Sequence, residues 1–249
     1  MLGCRVIPIL LTRNRSLVKT IKFDNAKYIG DPINAVKIFN DKEVDELVVL
    51  DINASKEGRG PDFTMICDIA SECFMPLAYG GGIRNLNDIQ TLFQNGVEKV
   101  ILNSAILNDF SLITEAASIY GDQSIVASID VKKNIWGKYQ LYSHSNLIPK
   151  IKDPIKMVQG LAKAGAGEII VNSVDLDGTM SGYDLKLIEL VSASVDIPIV
   201  FCGGAGAVGD LLEAYKAGAS GVAAGSIFIY HGPHKAVLIN YPTGIKLIK

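Results

Sequence analysis

Residues 167–175 read GEIIVNSVD, an almost unbroken apolar run of strand length that ends on an acid. A strand with one wet face alternates apolar and polar residues. A strand that is apolar throughout is buried on both faces, as in a parallel sheet covered by helices. Seven other stretches share this build: RVIPILL at 5–11, DELVVLDI at 45–52, MPLAYGG at 75–81, KVILNSA at 99–105, SIVASID at 124–130, IPIVFCGG at 197–204 and GVAAGSI at 221–227. The segments between them are amphipathic and carry helix punctuation. Asp31-Pro32 and Asp153-Pro154 each place a capping acid before a proline at the first helical position. Gly96, Gly121, Gly165 and Gly218 stand where helices should stop. Eight strand–helix units predict an α/β fold, a (β/α)8 TIM barrel forming one domain over 1–249. The alternative is a doubly wound open sheet, but no glycine fingerprint follows the first strand to support it. The segment KNIWGKYQLYSHS at 133–145 predicts a hairpin inserted after the fifth strand, with Gly137 near its turn. The tail at 231–249 fits no strand–helix unit.

The chain also repeats at half its length. Gly82 in YGGGI matches Gly204 in CGGAG, and Ser104 matches Ser226, each 122 positions later. Asp51 matches Asp175 at a spacing of 124, and Leu11 matches Asp130 at 119. Two related half-barrels are expected.

With 49% hydrophobic residues, 20% charged residues and a net charge of −2, the composition is that of a globular protein with a large core. It lacks the basic excess of a nucleic-acid binder. No apolar run reaches the roughly 20 residues of a membrane helix. The opening MLGC at 1–4 resembles a lipoprotein cleavage site without the preceding charged and apolar stretches. A cytoplasmic location without membrane attachment is expected. Cys4, Cys67, Cys73 and Cys202 form no C-x-x-C pair and read as buried thiols. His231 and His234 lack a third ligand nearby, so neither a metal nor another cofactor is expected, and the histidines read as surface or packing residues.

In such barrels chemistry sits on the loops after the strands. Glycine turns there let backbone N–H groups approach an anion closely. Gly80–Gly82 with Asn103 and Ser104 would form one phosphate cradle; Gly203 and Gly204 with Gly225 and Ser226 would form a second across the mouth. One glycine pair alone would merely serve a tight turn. Two pairs, each beside a serine on the next strand, point to a ligand phosphorylated at both ends. Asp130 is the candidate general acid or base between the cradles. Asp175 is read as equally suited to chemistry and to loop capping. Asp177 and Gly178, after the sixth strand, are candidate ligand-binding residues. Lys19, in the loop after the first strand, could close over an anion.

These residues carry a resemblance. GDP at 30–32, LDI at 50–52, GGGI at 80–83, SID at 128–130, AGEI at 166–169, DxDGTxSGYD at 175–184 and GGAG at 203–206 are similar to the HisF family, the cyclase subunits of imidazole glycerol phosphate synthase. The similarity runs from about residue 1 to about residue 230. It implies a barrel of two half-barrels that takes ammonia from a HisH-like glutaminase docked on its base. The ammonia would travel along the barrel axis to a bisphosphorylated ribonucleotide, which a lyase/cyclase reaction cleaves and closes. The family's ammonia gate of Arg, Glu, Lys and Glu falls on Arg5, Glu46, Lys99 and Glu168. Its two acid–base aspartates fall on Asp130 and on Leu11, within PILLTRN where the family has CLDVKDG. The family's SGKKNTG loop is replaced by SHSNLIPK at 143–150. These departures resemble HisF-like paralogues of surface-polysaccharide clusters, which work with a glutaminase and a sugar amidotransferase to install acetamidino groups. Three functions are therefore expected in order: ammonia supply for sugar amidination in lipopolysaccharide biosynthesis, a cyclase of histidine biosynthesis, and a non-catalytic scaffold that activates its glutaminase.

Overall fold

The computed structural model describes residues 4–144 and 147–241. In chain order the elements are β1 (Arg5–Arg13), β2 (Ser16–Ile21), β3 (Asp24–Gly30), α1 (Pro32–Asp41), β4 (Leu47–Asp51), α2 (Phe63–Glu72), β5 (Leu77–Gly80), α3 (Leu86–Gln94), β6 (Lys99–Leu102), α4 (Ser111–Tyr120), β7 (Ile125–Lys133), β8 (Tyr139–Tyr142), α5 (Pro154–Ala164), β9 (Glu168–Ser173), α6 (Leu185–Ser192), β10 (Ile199–Cys202), α7 (Val208–Lys216), β11 (Gly221–Ala224), α8 (Ser226–Ile229), β12 (Tyr230–His231) and β13 (Ala236–Val237). The strands β1, β4, β5, β6, β7, β9, β10 and β11 pair in parallel in that order. The ring closes where β11 pairs with β1, Arg5 opposite Gly221. The fold is the (β/α)8 barrel that the eight runs predict.

The unbroken apolar runs follow from two cores. On β1, Ile7, Ile9 and Leu11 point into the barrel beside Val48, Ala78, Ile101, Val126, Ile170, Val200 and Ala223. Val6 and Leu10, on the opposite face, join the larger core under the helices. Every second residue of a strand serves one core, so both sets must be apolar. The capping acids act as expected: Asp31 Oδ1 accepts from the Asn34 N–H at 3.1 Å, and Asp153 Oδ1 from the Ile155 N–H at 2.9 Å.

Two antiparallel additions rise above the barrel. β8 pairs with the end of β7, Asp130 opposite Tyr142, which forms the expected hairpin with Gly137 in its turn. Ser145, at the end of the predicted hairpin, lies outside the described residues, as do Ser145 and Asn146 of the replaced loop. The other addition corrects the sequence reading. The loop after the first strand is itself a β-hairpin, with β2 paired to β1 and β3 to β2. Its SLVKTI run was overlooked because it follows the first apolar run after only a two-residue turn.

After β11 the strand–helix rhythm breaks. α8 has only four residues, and a short β12–β13 hairpin follows. The chain then runs back along α8, where the Leu238 N–H donates to the Ile229 carbonyl and the Asn240 N–H to the Phe228 carbonyl, each at 2.9 Å. Tyr241 packs on Phe228 and donates its hydroxyl to the Val6 carbonyl at 3.3 Å. Residues 242–249 of the predicted tail lie outside the described residues, as do 1–3 of the MLGC opening.

The half-barrel repeat needs one correction. A Cβ on Gly81 would meet the Asp51 backbone oxygen at 2.6 Å, and one on Gly203 would meet that of Ser173 at 2.6 Å. Asp51 therefore corresponds to Ser173, not Asp175, and the 122-residue spacing holds there too. It also relates Glu46 to Glu168. The cysteines need another: Cys4 is buried, Cys67 is exposed, and Cys73 and Cys202 are intermediate.

Candidate functional site

At the base of the barrel, Glu46 and Glu168 come from equivalent places in the two halves. Arg5 donates one Nη to Glu46 and the other to Glu168. Lys99 Nζ lies 2.9 Å from Glu46 and 3.6 Å from Glu168. Two cations and two carboxylates thus form one closed ring across the barrel floor. Both glutamates are buried, which would be costly for either carboxylate alone. Burial works against the Arg5 charge, but Glu168 and then Glu46 outweigh it, so its pKa rises above the ordinary value. Above the ring the interior is apolar from Ile7 to Leu11.

At the opposite end a cavity of about 180 Å³ opens among the strand ends. Lys19, Gly82, Asn103, Ser104, Asp130, Asp177, Gly178, Gly203, Gly204, Gly225 and Ser226 all line it, so the fold gathers the predicted mouth residues in one place. Their individual environments differ. A Cβ on Gly82 would strike the backbone oxygen of Arg59 at 2.7 Å, and one on Gly204 that of Gly182 at 2.0 Å. These two glycines admit neighbouring loops, a packing duty that stands whether or not an anion binds. Gly225 is different, because a Cβ there would meet Lys19 Nζ at 2.6 Å. Lys19 is buried on β2, and among the described residues no carboxylate pairs with it. A buried ammonium without a counterion, laid over a glycine turn, suits a phosphate.

The acids also separate by environment. Asp177 Oδ2 accepts from Thr20 Oγ1 at 3.0 Å and from the Phe23 N–H at 3.3 Å, which ties the β2–β3 hairpin across the mouth. Gly178 lies under the same strand, where a Cβ would come within 2.2 Å of the Thr20 backbone oxygen. Asp175 accepts from the Lys133 N–H at 2.8 Å, the loop-capping alternative. Asp130 is recessed in the mouth and accepts from Asn103 Nδ2 at 3.0 Å. Desolvation pushes its carboxyl up to about 7; the Asn103 hydrogen bond offsets this in part, and the nearby Asp177 charge adds to it. An acid near neutrality can either give or take a proton at working pH. Leu11 lines the same cavity with Ile9, Leu50 and Ile101, and offers no proton.

Sequence reasoning missed Phe23, Ser55, Lys56, Asn172, Cys202 and His144, all of which line the cavity. His144 packs edge-on against Phe23, the packing role expected of it, but does so at the mouth. Nothing in the sequence marked it, because the long hairpin that carries it to the mouth sets its position.

The sequence profile of the histidine biosynthesis protein family matches residues 5–235. Among curated proteins, the chain is 48% identical over 244 residues to the "Putative imidazole glycerol phosphate synthase subunit hisF2" of Pseudomonas aeruginosa, covering 98% of this chain and 97% of that one. It is 47% identical over 245 residues to the corresponding "hisF3" protein of Vibrio vulnificus, covering 98% and 94%. It is 39% identical over 228 residues to the "Imidazole glycerol phosphate synthase subunit HisF" of Dictyoglomus thermophilum, covering 92% and 90%. The chain belongs to the HisF family. The structure puts Leu11 in the cavity wall. Among the described residues, no group of three or more His, Cys, Asp or Glu could hold a metal, and no helix is long and apolar enough to cross a membrane.

The Asp130 environment carries a stability prediction. Its carboxyl ionises near the ordinary 3.8 in the unfolded chain and only near 7 in the folded one. Between those values folding takes up a proton, so this group makes the wild type less stable as pH rises. Asp130→Asn removes that dependence. Thermal melts should show the variant gaining on the wild type from about pH 4 to about pH 7, with the difference level outside that window. A difference independent of pH would refute the buried-acid account.

Proposed function

We propose that this HisF-family chain receives ammonia from a HisH-like glutaminase docked on the N-terminal face of its barrel. It passes the ammonia along the apolar interior to the mouth, for amidination of a sugar in surface-polysaccharide biosynthesis. One observation carries the reading: the four-charge ring is complete at the base while Leu11 occupies the place of the family's first aspartate at the mouth. A buried ring of opposite charges offers little net stability over apolar residues, so its retention favours a role in passage. A missing carboxylate in an acid–base pair argues against the cyclisation the pair would perform. Asp130 then serves as an orienting acid or acts alone. A sugar amidotransferase would be the consumer at the mouth, and no cofactor is required.

The second reading is the histidine-pathway cyclase, favoured by Lys19 over Gly225 and by the retained Asp130. The third, a scaffold that only activates the glutaminase, has no use for a buried ammonium at the mouth.

Lys99→Met tests the passage. In the complex with the glutaminase, the wild type should raise glutamine hydrolysis severalfold over the glutaminase alone. The variant should lose that coupling, or should keep hydrolysis while ammonia escapes to bulk solvent. Coupling and ammonia retention both equal to wild type would make the ring a mere floor.

The cradles have their own test. Crystals grown in phosphate should hold the anion beside Lys19 Nζ at the Gly225–Ser226 turn, and Lys19→Met should lose it. Absence of phosphate at both cradles would reduce them to turns.

A further inference from the structure

We infer that Ser55, Lys56 and His144 form a second cationic arm of the cavity, an anion subsite on the first-half side that matches Lys19 on the other. This rests on the reading of the cavity as the site of a phosphorylated ligand, and names a part of that site not assigned above.

The three residues line one cavity but reach it from two loops. Ser55 and Lys56 come from the turn after β4, and that turn is built to hold still. Asp51 Oδ1 accepts from the N–H groups of Asn53 and Ala54 at 3.0 and 3.1 Å, and the Arg59 N–H donates to the Ala54 carbonyl at 2.8 Å. The neighbouring Glu57 could have neutralised Lys56. Its carboxylate instead accepts from Arg59 Nε at 2.7 Å and from Asn53 Nδ2 at 2.9 Å. Lys56 has no ion-pair partner among the described residues.

His144 arrives from the other half of the barrel, at the end of the β7–β8 hairpin. Its ring meets Phe23 edge-on, with centroids 5.9 Å apart at 88°, and lies 6.5 Å from the Tyr142 ring. Its imidazole has no hydrogen-bond acceptor among the described residues. The charged groups facing it are Lys56 from the β4 turn and Asp24 from β3. Desolvation lowers the His144 pKa, Lys56 lowers it further, and Asp24 opposes them.

The two arms correspond. The hairpin after the first strand crosses the mouth to Asp177 and lays Lys19 on the second-half cradle. The hairpin after the fifth strand crosses the other way and brings His144 towards the turn that packs on Gly82. Lys56 disfavours a charged His144 imidazole at this cavity, and Asp24 offsets that only in part. An arriving dianion reverses this and favours the protonated imidazole. Anion binding and proton uptake at His144 are then linked, and the linkage is reciprocal.

Sulfate is a suitable probe because its own charge does not change near neutral pH. The full chain has only three histidines, so each imidazole proton resonance can be assigned with single variants. Saturating sulfate should raise the His144 titration midpoint by about one unit, equivalent to about tenfold tighter sulfate binding to the protonated form. His231 and His234 should not move. Lys56→Met should weaken sulfate binding and shrink the His144 shift. A His144 midpoint unmoved while sulfate binds, with that binding lost in Lys19→Met, overturns the second arm and leaves the cradle reading standing. No sulfate binding at all overturns both. A shift shared equally by all three histidines is a bulk salt effect and also overturns the assignment.

Discussion

With saturating ammonia and no partner, the chain is expected to turn over the histidine-pathway bisphosphate about 10²–10⁴-fold more slowly than a histidine-pathway HisF assayed beside it. The cause is local. Leu11 sits in the cavity wall on β1, opposite Leu50 in the ladder and beside Val18 of the hairpin. It can neither take nor give a proton, and it adds one more apolar face to a mouth that already desolvates Asp130. Leu11→Asp should recover a weak cyclase activity, because the residues around it are placed to receive the ligand. Turnover by the wild type equal to that of the pathway enzyme would refute the amidination reading and favour the cyclase. No turnover in Leu11→Asp with the bisphosphate bound would mean that the loss extends beyond this one carboxylate.

Glu46→Leu should produce the largest loss of stability. Glu46 is 3% exposed and takes both Arg5 and Lys99. Without it, the two cations share Glu168 alone at a buried floor. Breaking a buried pair by removing one partner costs about 3–5 kcal/mol, and the lower end applies because Arg5 and Lys99 both reach some water. Denaturant unfolding of the variant should show that loss. Adding Lys99→Met should restore part of it, since the surplus cation goes too, so the two changes should not add. Additive losses would mean that the ring is not a unit.

The barrel was legible because eight runs were apolar on consecutive residues, a pattern that only strands buried on both faces require. The helix boundaries were legible where the chemistry is local, as at Asp31-Pro32 and Gly165. The β2–β3 hairpin was not. Its turn at Asn14 and Arg15 uses positive φ at both residues without a glycine to announce it. The site was legible where one residue type does one thing, as with Asp130 and the charge ring. It was opaque where tertiary contact decides between two duties. Asp175 and Asp177 look alike in the sequence, yet one caps a loop and the other ties down a hairpin within the mouth. His144 lay beyond sequence reasoning because two hairpins must cross before it meets anything.

The pairing of β11 with β1 has a consequence for how the chain comes off the ribosome. The first strand to emerge has one edge that only the last strand of the ring can satisfy, and the Tyr241 contact with Val6 adds a span of 235 residues. At about 5–20 residues per second, that edge waits roughly ten to forty seconds for its partner. Throughout this interval the nascent half-barrel exposes an unpaired strand edge, the kind of surface that seeds intermolecular association. The β2–β3 hairpin extends the upper part of β1 almost at once, but it leaves Arg5 to Pro8 bare. Completion of the molecule is therefore a late, non-local event. Chaperone dependence during synthesis should track the length of chain between these two strands rather than the stability of the finished barrel.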